Sequence, residues 1–216
     1  MTYRSAAADL ALHGVRVLGF PATARIATRY GLDPHATGEH LLDFEARGWV
    51  RQLSFAGTSG WSMTEAGRLE GERRMAAELD QAGARAVVTG VHAEFLPLND
   101  RLGRACTDWQ IRPTAADPMN FNDHSDWRWD DRVLGELAGL EKAFAGLCGQ
   151  LTACLHRFAA YSGCYRAAVA QAQAGEPAWV DAADRDSVHL VWIAFHEDLL
   201  ATLGLSRGSD TAGRIG

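Results

Sequence analysis

Apolar positions along the chain recur at steps of three and four, and this rhythm is interrupted once by a short alternating stretch. Leu10, Val15 and Leu18 mark a first helix over 6–18, which Phe20-Pro21-Ala22 breaks. A short helix follows over 23–30 and stops at Gly31. Asp33-Pro34 is a strong start signal, because Asp accepts from a free amide at a cap and Pro is preset for the first helical position. The helix it opens runs to about Arg47, is expected to bury Leu41, Leu42 and Phe44 or their neighbours, and ends at Gly48. In the stretch GWVRQLSFAGTSGWSMTEAGR the pattern changes. Trp49, Val50 and Leu53 fit a strand, Trp61 and Met63 fit its return, and residues 56–60 supply the turn. Thr64 then caps a helix beginning at Glu65, whose charge suits the positive end of the helix dipole.

The remainder reads as helical. Val88, Val91, Phe95, Leu98, Leu102, Ala105 and Trp109 form one stripe over 84–109, with a kink expected at Pro97. Val133, Leu137, Leu140, Phe144, Leu147, Leu151, Cys154 and Phe158 repeat the pattern. A third helix is predicted over 161–174. A fourth, over 186–203, carries Val188, Val191, Trp192, Phe195, Leu199 and Leu203 and is closed by Gly204. The expected fold class is therefore mainly α with a small β-wing, and residues 207–216 read as a flexible tail. Between the first two stripes lies TDWQIRPTAADPMNFNDHSDWRWDD. It holds three of the seven tryptophans, and structureless connections of this length are often functional.

Charge refines the picture only locally. The formal net charge of the 216 residues is -6, yet residues 1–63 hold six Arg against five acids, so the excess of acid lies further on. An acidic total argues mildly against nucleic acid, but such binding needs a basic face and not a basic sum. No stretch approaches the roughly 20 apolar residues of a membrane span, and the N-terminus lacks a leader pattern, so a cytoplasmic protein without a membrane partner is expected. The four cysteines show no C-x-x-C pair and read as small buried thiols. His189 and His196 share a helix face with Trp192, but seven residues separate them by about 10.5 Å of rise, too far for one ion to join both. The chain has no nucleophile elbow, no phosphate loop and no dinucleotide fingerprint. Neither enzyme activity nor a cofactor is expected.

Helix, short helix, tight turn, longer helix, two-stranded ribbon, helix is the element order of a winged helix-turn-helix. The stretches ATARIATRYGLDPHATGEHLLDFEARGWVRQ and GWSMTEAGR resemble the DNA-binding part of MarR-like winged-helix regulators of bacteria. The resemblance is carried by Leu41-Leu42, by Ala46-Arg47-Gly48-Trp49-Val50 and by Met63-Thr64-Glu65-Ala66-Gly67, and it covers about residues 5–80. It implies a winged-helix DNA-binding domain over 1–80 and a helical region over 81–206 for dimerisation and effector binding. The function implied is a homodimeric transcriptional regulator of double-stranded DNA.

On that resemblance, His35, Thr37 and His40 would read bases from the recognition helix, while Arg25, Arg29, Arg47 and Arg51 would meet phosphate. The wing residues 55–60 carry no base, and Asp43 and Glu45 would oppose phosphate if they faced it. Trp109, Arg112, His124, Trp127 and Trp129, joined by Trp192, are the candidate site for a small aromatic or apolar effector. The alternative is that the tryptophans only cap the helices. The competing function is a protein–protein adaptor, or a ligand-binding protein that does not use its winged helix on DNA.

Overall fold

The computed structural model describes residues 2–55 and 57–206, with Phe55 described in its backbone alone; the expectations for Ala56 and for the tail 207–216 lie outside the described residues. Among the described residues the elements run α1 (Ala7–Leu18), α2 (Thr23–Tyr30), α3 (Pro34–Ala46), β1 (Val50–Phe55), β2 (Thr58–Met63), α4 (Glu65–Ala82), α5 (Arg85–Gln110), α6 (Trp127–Cys154), a single 3-10 turn (His156–Phe158), α7 (Tyr161–Gln173), α8 (Ala178–Asp181) and α9 (Val188–Leu203). The chain is mainly helical, with one two-stranded antiparallel sheet after its third helix. It divides into two compact units. Unit 1 is Met1–Thr89, Thr152–Arg157 and Ala194–Gly216; unit 2 is Gly90–Leu151 and Phe158–Ile193. Both are discontinuous, where the sequence suggested a single boundary near residue 80.

In unit 1, Ala11, Leu12, Val15, Ile26, Leu41, Phe44, Val50 and Trp61 make one buried cluster. Gly31 adopts a left-handed conformation (φ 63°) that ends α2, and the Asp33 side chain accepts from the Ala36 amide at 2.8 Å to begin α3. Leu42 departs from expectation and is 52% exposed. Leu41 and Phe44, three positions apart, already fill the inward face of α3, and Leu42 lies a hundred degrees round from Leu41.

The hairpin is tighter than the sequence suggested, since Phe55 pairs with Thr58 and only two residues separate the strands. Its base is fixed to the α1–α2 connection. The Trp61 amide donates to the Pro21 carbonyl at 2.9 Å, and Trp61 Nε1 donates to Thr23 Oγ1 at 2.9 Å. A Cβ on Gly60 would lie 2.8 Å from the Phe20 carbonyl oxygen, so that approach needs glycine. The Thr64-x-x-Gly67 signature has an equally direct cause. Thr64 Oγ1 accepts from the Gly67 amide at 3.1 Å and donates to the Gly48 carbonyl at 2.7 Å, while any Cβ on Gly67 would run into the Trp49 carbonyl.

A second interior of unit 1 is polar. Arg157, in the 3-10 turn, donates to Glu78 of α4, to Asp198 Oδ1 of α9 at 3.2 Å and to Thr202 Oγ1 at 2.6 Å. His13 of α1 places Nε2 2.9 Å from the same Asp198 oxygen. All five residues are buried. The turn is held from the N-terminal side as well: the Tyr3 amide donates to the Cys154 carbonyl, and the His156 amide donates to the Tyr3 carbonyl.

Unit 2 is built on rings and aliphatics. The stripe Val133, Leu137, Leu140, Phe144, Leu147 and Leu151 of α6 is buried as predicted. Trp192 is fully enclosed, with ring centres 5.0 Å from Phe95, 4.7 Å from Phe144 and 5.6 Å from Tyr165. Its Nε1 donates to Asn99 Oδ1, and the Tyr165 hydroxyl donates to the Leu137 carbonyl. Pro97 lies within α5, which continues past it as one element. The short α8 was not foreseen.

Candidate functional site

The expected contact surface of unit 1 consists of the outward face of α3 and the hairpin. At the start of α3, His35, Ala36 and Glu39 are exposed, and Asp43 and Ala46 continue that face. The hairpin buries Val50 and Trp61 at its base. Arg51, Gln52, Leu53 and Ser54 on β1 and Thr58 and Ser59 on β2 are all exposed, while Gly60, opposite Leu53, is buried against Phe20.

The seven predicted DNA-contacting residues divide. His35, Arg47 and Arg51 are exposed and available. Arg47 rests against Trp49, with its guanidinium carbon 5.1 Å from the ring centre, an arrangement that leaves its charge in solvent. His40 is half-buried, its ring 6.4 Å from that of Phe44, and Arg25 is half-buried on α2. Thr37 and Arg29 depart from expectation. Thr37 is buried and its hydroxyl donates to the Asp33 carbonyl at 2.8 Å, because position N4 of α3 faces α1 and α2. It reads no base. Arg29 Nε and Nη2 are closed off from solvent, which removes most of the fork a phosphate would use. Glu45 is engaged elsewhere, its Oε1 accepting from the Gln52 amide at 2.8 Å, so Glu39 and Asp43 are the acids that an approaching phosphate would meet.

In unit 2, the long connection between α5 and α6 is ordered by its own polar groups. Ile111 and Phe121 form an isolated antiparallel bridge, the Arg112 amide donates to the Asn120 carbonyl, and the Asn122 amide donates to the Gln110 carbonyl. The buried Asn122 side chain donates to the Trp109 carbonyl at 3.0 Å and to Asp130 Oδ1 at 2.8 Å. His124 takes a positive φ of 58° and sets Nδ1 3.0 Å from Asp130 Oδ2, with its ring 4.5 Å from that of Trp109. Arg112 reaches Asp126 at 3.2 Å and Asp123 at 3.6 Å. The Ser125 hydroxyl and amide, donating to Asp123, hold its carboxyl below the usual range, with Arg112 adding to the effect. Trp129 Nε1 donates to the Asp108 carbonyl at 2.7 Å.

The six predicted effector residues therefore do not enclose one pocket. Trp109 packs against His124, Arg112 pairs with Asp126 and Asp123, and Trp129 Nε1 is bonded to the Asp108 carbonyl of α5, while Arg112 Nε is buried without a hydrogen-bond partner among the described residues. Trp127 stands 66% exposed against Arg128, and Trp192 belongs to the separate ring cluster with Phe95, Phe144 and Tyr165. A groove of about 340 Å³ nearby is lined by Arg101, Arg104, Asp108 and Arg132 and not by the tryptophans.

Cys106 and Cys148 are buried, and burial pushes the Cys106 thiol up to about 12, far from a reactive thiolate. Desolvation lowers His189, which is half-buried. Among the described residues no three His, Cys, Asp or Glu side chains are grouped as a metal would need, and no helix is long and apolar enough to cross a membrane.

What sequence reasoning missed is the Arg157–Asp198–Glu78–His13 cluster. Its signal was present: Asp198 and Thr202 continue the apolar stripe Val188, Val191, Phe195 at steps of three and four, and His13 lies between Leu10 and Val17 in the same way. Comparison of the chain with known protein families, with curated proteins and with solved structures finds no match.

Proposed function

We propose that the chain is a DNA-binding transcriptional regulator that acts as a homodimer, with α3 as its recognition helix and the β1–β2 hairpin as its wing. The observation that carries this reading is the exposed hairpin. An isolated two-stranded ribbon is marginal in water, yet this one is fixed to the α1–α2 connection through Trp61 and Gly60, and Arg51–Ser54 of β1 with Thr58 and Ser59 of β2 are all exposed. Apart from Val50 and residues 60–63 at its inner end, the described ribbon residues stay out of the interior, so the use of the outer part lies in what it touches. His35 at the start of α3 is available for base edges, and Arg47 and Arg51 for phosphate.

Replacing both arginines tests this. With Arg47→Ala and Arg51→Ala together, the slope of log affinity against log salt becomes shallower by about two. An unchanged slope contradicts the docking.

A second reading is favoured by particular residues. Leu42 is 52% and Leu53 48% exposed, and Glu39 and Asp43 share the outward face of α3. These suit a protein partner better than phosphate. Under that adaptor function, Leu42→Ser and Leu53→Ser abolish partner binding while salt has little effect on it.

A further inference from the structure

We propose that the α5–α6 face of unit 2 is the surface on which a second copy of this chain docks. An apolar groove of about 760 Å³ runs along this face, floored by Pro97, Leu98, Leu147 and the small residues of α6. Along its outward side α6 presents Gly135, Gly139, Ala143, Gly146 and Gly149, at steps of three and four, for about four turns. A Cβ on any of those four glycines would meet nothing within 4 Å. The packing of this chain therefore does not require them, and each is a poorer helix former than alanine. A bare strip of this kind does one thing well: it lets another helix approach closely, because the distance between packed helices is set by the side chains at the contact.

The charges at the groove identify the occupant. Glu94 lines it from α5 and Lys142 from α6. Both are exposed, and neither forms an ion pair among the described residues. Lys142 is also the single lysine in a chain that otherwise uses arginine. In a two-fold contact the same patch meets itself, so that residue i faces residue j and j faces i. A groove with an acid on one wall and a base on the other satisfies that condition, each Lys142 meeting the opposite Glu94 across an apolar floor. An unrelated partner would have to bring both charges and the matching ridge; a second copy already has them. The inference deepens the homodimer of the preceding proposal by naming its surface: a monomeric chain removes both, whereas a dimer that the variants below do not move removes only the surface, and a dimer that binds no DNA removes only the regulator.

The experiment is sedimentation equilibrium of the full chain up to about 100 μM, a range that detects dimers of micromolar affinity. The wild-type chain is expected to dimerise. Gly139→Gln and Gly146→Gln fill open space and keep the helix, so they leave the circular dichroism spectrum and melting temperature intact while weakening the dimer about a hundredfold. Glu94→Lys or Lys142→Glu alone places like charges together and weakens it at least about tenfold, and the double swap restores it to within a few-fold. A wild-type chain that stays monomeric over the whole range overturns the proposal. So does a dimer whose affinity neither glycine variant moves, or a double swap no better than its single members.

Discussion

In unit 1, Arg157, Glu78, Asp198, His13 and Thr202 meet in the interior; in unit 2, Trp192, Phe95, Phe144 and Tyr165 stack against one another. The same helix takes part in each, since Val188–Ile193 of α9 counts with unit 2 and its later turns with unit 1. The contrast shows how differently two interiors tolerate change. Rings contribute area and dispersion, and a substitution that keeps the volume loses only part of either. A buried charge has given up its water and depends on its partners, so removing one member strands the rest. Replacing all members together by apolar groups need not cost anything. The polar interior therefore joins α1, α4, the 3-10 turn and α9 into an all-or-nothing arrangement, while the aromatic interior degrades by degrees.

Arg157→Met is the strongest way to break the contrast. It leaves Glu78 and Asp198 buried without their cation and is expected to cost about 3–5 kcal/mol in a denaturant titration. Adding Glu78→Leu and Asp198→Leu returns most of that loss. A single Arg157→Met that costs less than about 1 kcal/mol would show that water reaches the cluster.

Trp192→Phe should cost less, about 1–3 kcal/mol, since the ring contacts survive in part and only the bond to Asn99 is lost outright. A cost as large as that of Arg157→Met would mean that the aromatic interior is no more forgiving than the ionic one.

The smallest effect concerns the surface of α4. Bonds from Arg73 and then Arg74 bring the Glu70 carboxyl down to about 2 from an ordinary value of 4.5. Because its folded pKa is depressed, the stability it contributes is present above about pH 4.5 and disappears as pH falls toward 2. Glu70→Gln is therefore expected to lower stability by no more than about 1 kcal/mol at neutral pH. The gap to the wild-type chain should close near pH 2. A gap that persists there would assign the effect to packing.

Much of unit 1 was legible because its punctuation is local. Asp33-Pro34 and Thr64-x-x-Gly67 each act within one turn of helix, and Gly31 ends α2 by its own left-handed backbone. The stripes of α5, α6 and α9 were legible for a similar reason, since one buried face repeats at 3.6 residues. The polar interior was not. Arg157 looks like any surface arginine until residues 41, 79 and 45 positions away are brought to it. The effector site failed on the same ground: tryptophans near in sequence suggested a shared floor, but Trp192 packs with rings from α5, α6 and α7, and Trp127 with Arg128. On α3, periodicity separated inside from outside but Leu42 and Thr37 fall on the other sides: Thr37 shares the buried line of Leu41 and Phe44 at steps of four and three, and Leu42 lies about a hundred degrees off it.

The proposed contact of the ribbon and α3 of unit 1 with DNA is tested by titrating the purified chain into a fluorescent fragment of the DNA upstream of its own coding region at two salt concentrations. Binding is expected to be tighter than to random duplex and to weaken steeply between low and high salt as phosphate contacts give way to counterions. Affinity equal to that for random DNA, or binding that does not respond to salt, would contradict it.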